Sequence, residues 1–177
     1  MTVMVALLRG INVGGKTTLS MAKLREVAQA LGYDDIATYI QSGNLVLRTS
    51  DSASKVEKDL AAAIAEIGGV QPAVMARTRA QLKKVADGNP FLRRGEDAAA
   101  CHVVFCAKTA KAQLGRLDLP AYAPEEAVAV GKELYLFLPG GMGRSKLAGD
   151  LAKDKTAVGT ARNWRTVSKL LEMTEAL

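Results

Sequence analysis

Ile36-Ala37-Thr38-Tyr39-Ile40-Gln41-Ser42-Gly43-Asn44-Leu45-Val46-Leu47-Arg48 is the stretch on which the fold turns. Ile36 to Gln41 and Asn44 to Arg48 are patterned as strands, and Ser42-Gly43 between them is a pair of turn formers. The segment therefore predicts a β-hairpin, not two strands joined by a crossover. Upstream, Val3 to Leu8 is a continuous apolar run ended at Gly10, the signature of a buried strand. Ser20 is placed to N-cap a helix in which Met21, Leu24, Val27, Ala28 and Leu31 recur at helical spacing, and Gly32 stops it. Downstream, a helix is expected from Ser54 to Ile67, closed by Gly68-Gly69, and then a strand around Val70 to Ala76. The order βαββαβ is ferredoxin-like, an antiparallel sheet carrying two helices on one face.

The remainder repeats much of that order. Thr78 to Ala86 predicts a short helix before Gly88-Asn89-Pro90, and Arg93 to Asp97 is a charged connection. A strand follows at Cys101 to Ala107, a helix at Thr109 to Leu117, strands at Ala127 to Val130 and Glu133 to Leu138, and helices at Arg144 to Lys153 and Ala161 to Met173. Asp118 to Pro124 and Pro139 to Gly143 read as loops. The expectation is an α+β fold of two ferredoxin-like halves, residues 1–92 and 93–177, packed into one unit. The repetition is one of element order, without a residue-level repeat.

At 177 residues, with 49% hydrophobic and 24% charged residues, the chain is long enough to bury a core without disulfides or a structural metal. The apolar start runs into Arg9 too soon for a signal-peptide core, and no stretch reaches the roughly 20 apolar residues of a membrane-spanning helix. A cytoplasmic location without membrane attachment is the expectation. Cys101 and Cys106 fall on opposite faces of one strand and cannot bridge each other. His102 and Cys106 share a face but lie roughly 13 Å apart at about 3.3 Å per residue, too far to hold one metal ion. The thiols and His102, the sole histidine, read as structural residues of an apolar strand. No metal site or cofactor is called for.

The net charge of +6 is unevenly spread: residues 1–25 carry +4, residues 144–169 carry +5, and the rest sums to −3. Positive potential gathered at two distant segments suits an anionic partner if folding joins them. Gly10, Gly15, Lys16 and Thr17 also match the phosphate-loop pattern GxxxxGK[ST] after a buried strand. In such loops the helix starts at the glycine–lysine step, so that its N–H groups face the phosphates. Here the helical periodicity starts at Ser20, and the aspartate-ended strand that would hold magnesium is missing. A nucleotide-binding enzyme is thus the alternative reading, not the leading one.

Four segments together resemble a known bacterial family, the domain of unknown function numbered 1697. They are Ala6-Leu7-Leu8-Arg9-Gly10-Ile11-Asn12-Val13-Gly14-Gly15-Lys16, Met21-Ala22-Lys23-Leu24-Arg25, Thr38-Tyr39-Ile40-Gln41-Ser42-Gly43-Asn44, and Ala161-Arg162-Asn163-Trp164-Arg165-Thr166-Val167. The resemblance implies two ferredoxin-like halves and assigns no reaction. Members commonly carry Asn where Thr17 stands, which makes the phosphate-loop match accidental.

The candidate ligand-binding residues are Arg9, Asn12, Lys16, Gln41, Asn44, Arg162, Asn163 and Arg165. Thr160 reads as the N-cap of the last helix, with Trp164 in the core. Arg162 and Arg165 then occupy a first turn that would ordinarily favour acids, a mismatch an anion would resolve. Side-chain amides at Asn12, Gln41, Asn44 and Asn163 could orient a polar ligand. A phosphorylated small molecule or nucleic acid is the expected partner. A protein-interaction module with a merely solubilising basic face is the other rival, and neither an enzyme activity nor an oligomeric state can be read from the residues.

Overall fold

The computed structural model describes residues 1–12, 18–68 and 71–177. They form two compact units, Met1–Lys84 with Lys169–Leu177, and Val85–Ser168. In the first, β1 (Thr2–Arg9), α1 (Met21–Ala30), β2 (Asp34–Tyr39), β3 (Asn44–Thr49), α2 (Ala53–Gly68) and β4 (Ala73–Thr78) follow the expected βαββαβ order. The sheet is antiparallel throughout, in the order β2-β3-β1-β4.

Central strand β1 is buried on both faces, which is why it reads as an unbroken apolar run. Met4, Ala6 and Leu8, with Leu45, Leu47, Val74 and Ala76, pack under Leu24, Val27 and Ala28 of α1 and Val56, Leu60 and Ile64 of α2. On the opposite face Val5, Leu7, Val46 and Met75 are equally buried. Ser20 caps α1 as expected, its hydroxyl accepting from the Lys23 amide at 3.1 Å. Gly32, at φ +80°, ends the helix.

After α3 (Arg79–Asp87) the chain does not simply loop at Gly88-Asn89-Pro90. Asn89 caps a further short helix, α4 (Pro90–Arg93), its Oδ1 accepting from the Phe91 amide at 3.0 Å. The second unit then runs β5 (Cys101–Cys106), α5 (Lys111–Leu114), β6 (Glu126–Val130), β7 (Glu133–Phe137), α6 (Lys146–Ala152) and β8 (Gly159–Asn163), with α7 (Trp164–Glu175) following. Its sheet order, β6-β7-β5-β8, repeats the first topology strand for strand. The chain is thus an α+β fold of two four-stranded antiparallel sheets, each with helices, in two ferredoxin-like halves. Here Leu134, Leu136 and Cys106 face Ala110 and Leu147. On the other face the Tyr135 hydroxyl donates to the Val85 carbonyl at 3.0 Å. Phe91 and Phe137 pack at 5.8 Å, with Arg94 over both rings. Cys101 and Cys106 are buried free thiols, and burial lowers the pKa of His102.

Two expected helices differ. The one read from Thr109 to Leu117 is a single turn at Lys111–Leu114. The one read from Ala161 to Met173 begins only at Trp164, because Gly159–Asn163 is the fourth strand of the second sheet. Its alternation of Thr160 and Arg162 inward with Ala161 and Asn163 outward was masked, since one of the two inward residues is an arginine.

Pairing also uncovers a residue-level repeat. Arg77 lies opposite Val5 in β1, and Arg162 lies opposite Val103 in β5. Each arginine is buried, follows an alanine and donates to that alanine's carbonyl, at 2.9 Å and 2.8 Å respectively. Each precedes a residue that caps the next helix: Thr78 accepts from the Gln81 amide, and Asn163 from the Thr166 amide.

Candidate functional site

The first half closes around a joint between the end of β1 and the β2–β3 turn. The Leu8 amide donates to the Gly43 carbonyl at 2.8 Å. Gly43 has φ +78°, and a Cβ there would stand 2.6 Å from Ile11 Cδ1 and 2.8 Å from Leu8 Cβ. Only glycine permits both the turn and the contact. Asn12, at φ +54°, completes the joint. Its Oδ1 accepts from the Leu19 amide at 2.8 Å, while its Nδ2 donates to the Leu19 carbonyl at 2.9 Å and the Gln41 carbonyl at 2.8 Å. The carboxamide pairs with Leu19 as a strand neighbour would and pins the loop to the hairpin.

Asn44 is fully buried, its Nδ2 donating to the Tyr39 carbonyl and the Ser42 hydroxyl, both at 2.9 Å. Arg25 reaches from α1 to the Thr38 hydroxyl at 2.7 Å. The structure therefore brings Arg9, Asn12, Gln41 and Asn44 into one region of the first unit. The two asparagines, however, spend their amides on the chain itself, while Arg9 and Gln41 are exposed. Lys16, with Gly15 and Thr17 of the phosphate-loop match, lies outside the described residues. Residues 18–20 are not helical, and α1 begins at Met21.

The hairpin turn holds a further oddity. Ile40 sits at φ +49° and is 51% exposed. A β-branched residue in the left-handed region is strained, by roughly 1–2 kcal/mol. Replacing it by Asn, which tolerates that region, is expected to raise stability by about 1 kcal/mol in urea unfolding. A midpoint that stays or falls would show that the isoleucine does not strain the turn.

Beside the joint opens a cleft of about 650 Å³, between the end of β1, the start of α1, the end of α2 and the lead into β4. Arg9, Gly10, Ser20 and Lys23 line it from the β1–α1 side, and Ile67 and Gln71, with the buried Ile64 and Pro72 behind them, from the α2–β4 side. Lys23, on the first turn of α1, is half-exposed and 2.9 Å from Glu26. The sequence reading missed Lys23 as a site residue, although it stands in one of the four quoted segments. Its position three residues after the cap was the available signal.

The three C-terminal candidates belong to the second unit. Arg162 is buried in β8, so the expected placement on a helical first turn is corrected. Its guanidinium donates to the Thr160 hydroxyl at 2.7 Å, and burial pushes its pKa down to about 10. Asn163, not Thr160, caps α7, its Oδ1 accepting from the Thr166 amide at 2.9 Å. Arg165 is exposed on α7, and Trp164 is partly buried. Among the described residues no three His, Cys, Asp or Glu side chains gather as metal ligands, and no helix is long and apolar enough to cross a membrane.

The fold and cleft define an α+β protein of two ferredoxin-like halves whose first half carries a cation-rimmed pocket. The chain belongs to the family described as protein of unknown function (DUF1697), whose model matches residues 1–135. Its structure is similar to that of the conserved bacterial protein SP0830 from Streptococcus pneumoniae, with a TM-score of 0.79 and 22% identity over 99% of each chain. At that identity the likeness is one of fold. No curated protein matches the chain.

Proposed function

We propose that the first half binds a phosphorylated small molecule in the cleft at the end of β1. The observation that carries this reading is the pairing of Arg9 and Lys23 along one side of a cleft whose volume, about 650 Å³, lies in the range of small-ligand sites, about 300–1,000 Å³. Two supports are electrostatic. The first turn of α1 holds no acid, so the partial positive charge of its free N–H groups is left for an incoming anion. By sequence, Lys16 adds a further cation to the same β1–α1 connection. Gly10, at φ +76° with open space where a Cβ would stand, allows close approach of the backbone.

A pocket of this kind differs from a nucleic-acid track in its response to salt. Wild type and the Arg9→Ala/Lys23→Ala variant, titrated with a panel of phosphorylated metabolites and a single-stranded oligonucleotide at two salt concentrations, test the reading. The expected result is metabolite binding with a shallow salt dependence, weakened at least about tenfold in the variant, as for the loss of charge-assisted hydrogen bonds. Oligonucleotide binding with a log–log salt slope near −0.7 per phosphate contacted would transfer the site to nucleic acid. Metabolite binding indifferent to both substitutions would remove the ligand from this cleft.

A further inference from the structure

The second unit has a cleft at the place in its fold where the first unit has its own. About 350 Å³ in volume, it opens between the end of β5, α5, the segment after α6 and the lead into β8. These are the counterparts of β1, α1, α2 and β4, since the two sheets share one strand order. The cationic side is repeated as well: Lys108 and Arg116 flank α5 as Arg9 and Lys23 stand on the β1–α1 side of the first cleft. The opposite side differs. Where the first cleft presents the neutral carboxamide of Gln71, the second presents the carboxylate of Asp154.

Asp154 is fixed by its own turn. Its Oδ1 accepts from the amide of Thr156 at 3.0 Å and from the Thr156 hydroxyl at 2.6 Å, and these bonds hold the carboxyl below the usual carboxylate range. Its Oδ2 faces Arg116 Nη1 at 3.2 Å. The arginine side chain is 68% exposed against 17% for the aspartate, and an ion pair with so wet a partner holds weakly. A ligand therefore parts the two charges at little cost, provided that it offers each a replacement. An anion alone would satisfy Lys108 and Arg116 but leave Asp154 without a counter-charge, and an ammonium alone would do the reverse. Because Arg116 and Asp154 are in contact, the two charges of the ligand must also lie close together, as an ammonium and a carboxylate on one carbon do.

We propose that this second cleft binds a free α-amino acid, its carboxylate held by Lys108 and Arg116 and its ammonium by Asp154 Oδ2. The site is separate from that of the first unit and does not rest on it.

NMR titration of wild type, Asp154→Asn and Lys108→Ala with L-alanine, N-acetyl-L-alanine, ethylamine and 6-aminohexanoate tests this. Asparagine keeps an Oδ1 for Thr156, and Lys108 is exposed, so both variants should fold, which circular dichroism checks. Alanine is expected to shift the Thr156 and Ala157 amides and to bind at least about tenfold tighter than the other three, since each of those lacks one charge or the spacing. Asp154→Asn should weaken alanine about tenfold without weakening N-acetylalanine, and Lys108→Ala should weaken alanine about fivefold. Equal affinity for alanine and either N-acetylalanine or ethylamine overturns the two-charge assignment, and equal affinity for 6-aminohexanoate overturns the α-amino acid. Absence of shifts with alanine removes the site.

Discussion

Gly43→Ala is expected to destabilise the protein by about 3 kcal/mol, while Gly10→Ala, at nearly the same backbone angle, costs about 1 kcal/mol. Both glycines are left-handed, at φ +78° and +76°, and an alanine at either pays a strain of roughly 1 kcal/mol. They differ in what a methyl group would meet. At Gly10 there is nothing within 4 Å, whereas at Gly43 the new Cβ would stand 2.6 Å from Ile11 Cδ1 and 2.8 Å from Leu8 Cβ. Leu8 belongs to β1 and its amide is bonded to Gly43, so it has little freedom to retreat. Overpacking of this kind costs about 1–3 kcal/mol. Urea unfolding of the two variants side by side separates overlap from backbone strain. Equal losses would mean that Ile11 moves aside freely and that the joint is not closely packed.

Asn12→Ala should cost about 3 kcal/mol and release the loop that follows β1. The substitution removes three hydrogen bonds, each contributing about 1 kcal/mol net, and leaves the Leu19 amide and carbonyl and the Gln41 carbonyl to find new partners. Alanine at φ +54° adds backbone strain. Asn12→Gly removes the strain but not the lost bonds and is expected to recover about 1 kcal/mol. Asn12→Asp keeps the acceptor for the Leu19 amide but turns both donors into an oxygen facing two carbonyls, so it should be at least as damaging as alanine. Amide hydrogen exchange provides the local readout, because protection of the Leu19 amide should fall in all but the wild type and Asn12→Asp. If Asn12→Ala leaves both stability and Leu19 protection intact yet weakens ligand binding, the carboxamide serves the ligand and not the loop.

These two expectations explain why the segments that make the family recognisable are poor guides to a binding site. Asn12, Asn44, Arg25 and Thr38 are all polar residues of the segments that carry the family resemblance. In the fold each is occupied in holding β1, α1 and the β2–β3 hairpin together. Polar side chains near turns carry the same spelling whether they bind a ligand or replace a missing backbone partner. Only the location of the Leu19 and Gln41 carbonyls distinguishes the two roles. Lys23 shows the converse: an ordinary helix lysine by sequence, it becomes a site candidate because α1 starts beside the cleft.

The first sheet and its two helices were legible in the residues, because each element carries its own period: the apolar run of β1, the spacing from Met21 to Leu31, and the alternation about Ser42-Gly43. Those signals are local, set by side-chain geometry along a single strand or helix. The last strand was not legible. Gly159–Asn163 has an arginine as one of its two inward residues, and what makes it a strand is its pairing with β5, a neighbour more than fifty residues earlier. The equivalence of Arg77 and Arg162 was hidden for the same reason, since strand register alone aligns them. By itself the sequence determined the α+β class, the ferredoxin-like order and the family. Tertiary structure alone decided which polar residues turn inward to hold the chain and which are left facing a cleft, because burial and hydrogen-bond partnership depend on what lies across space.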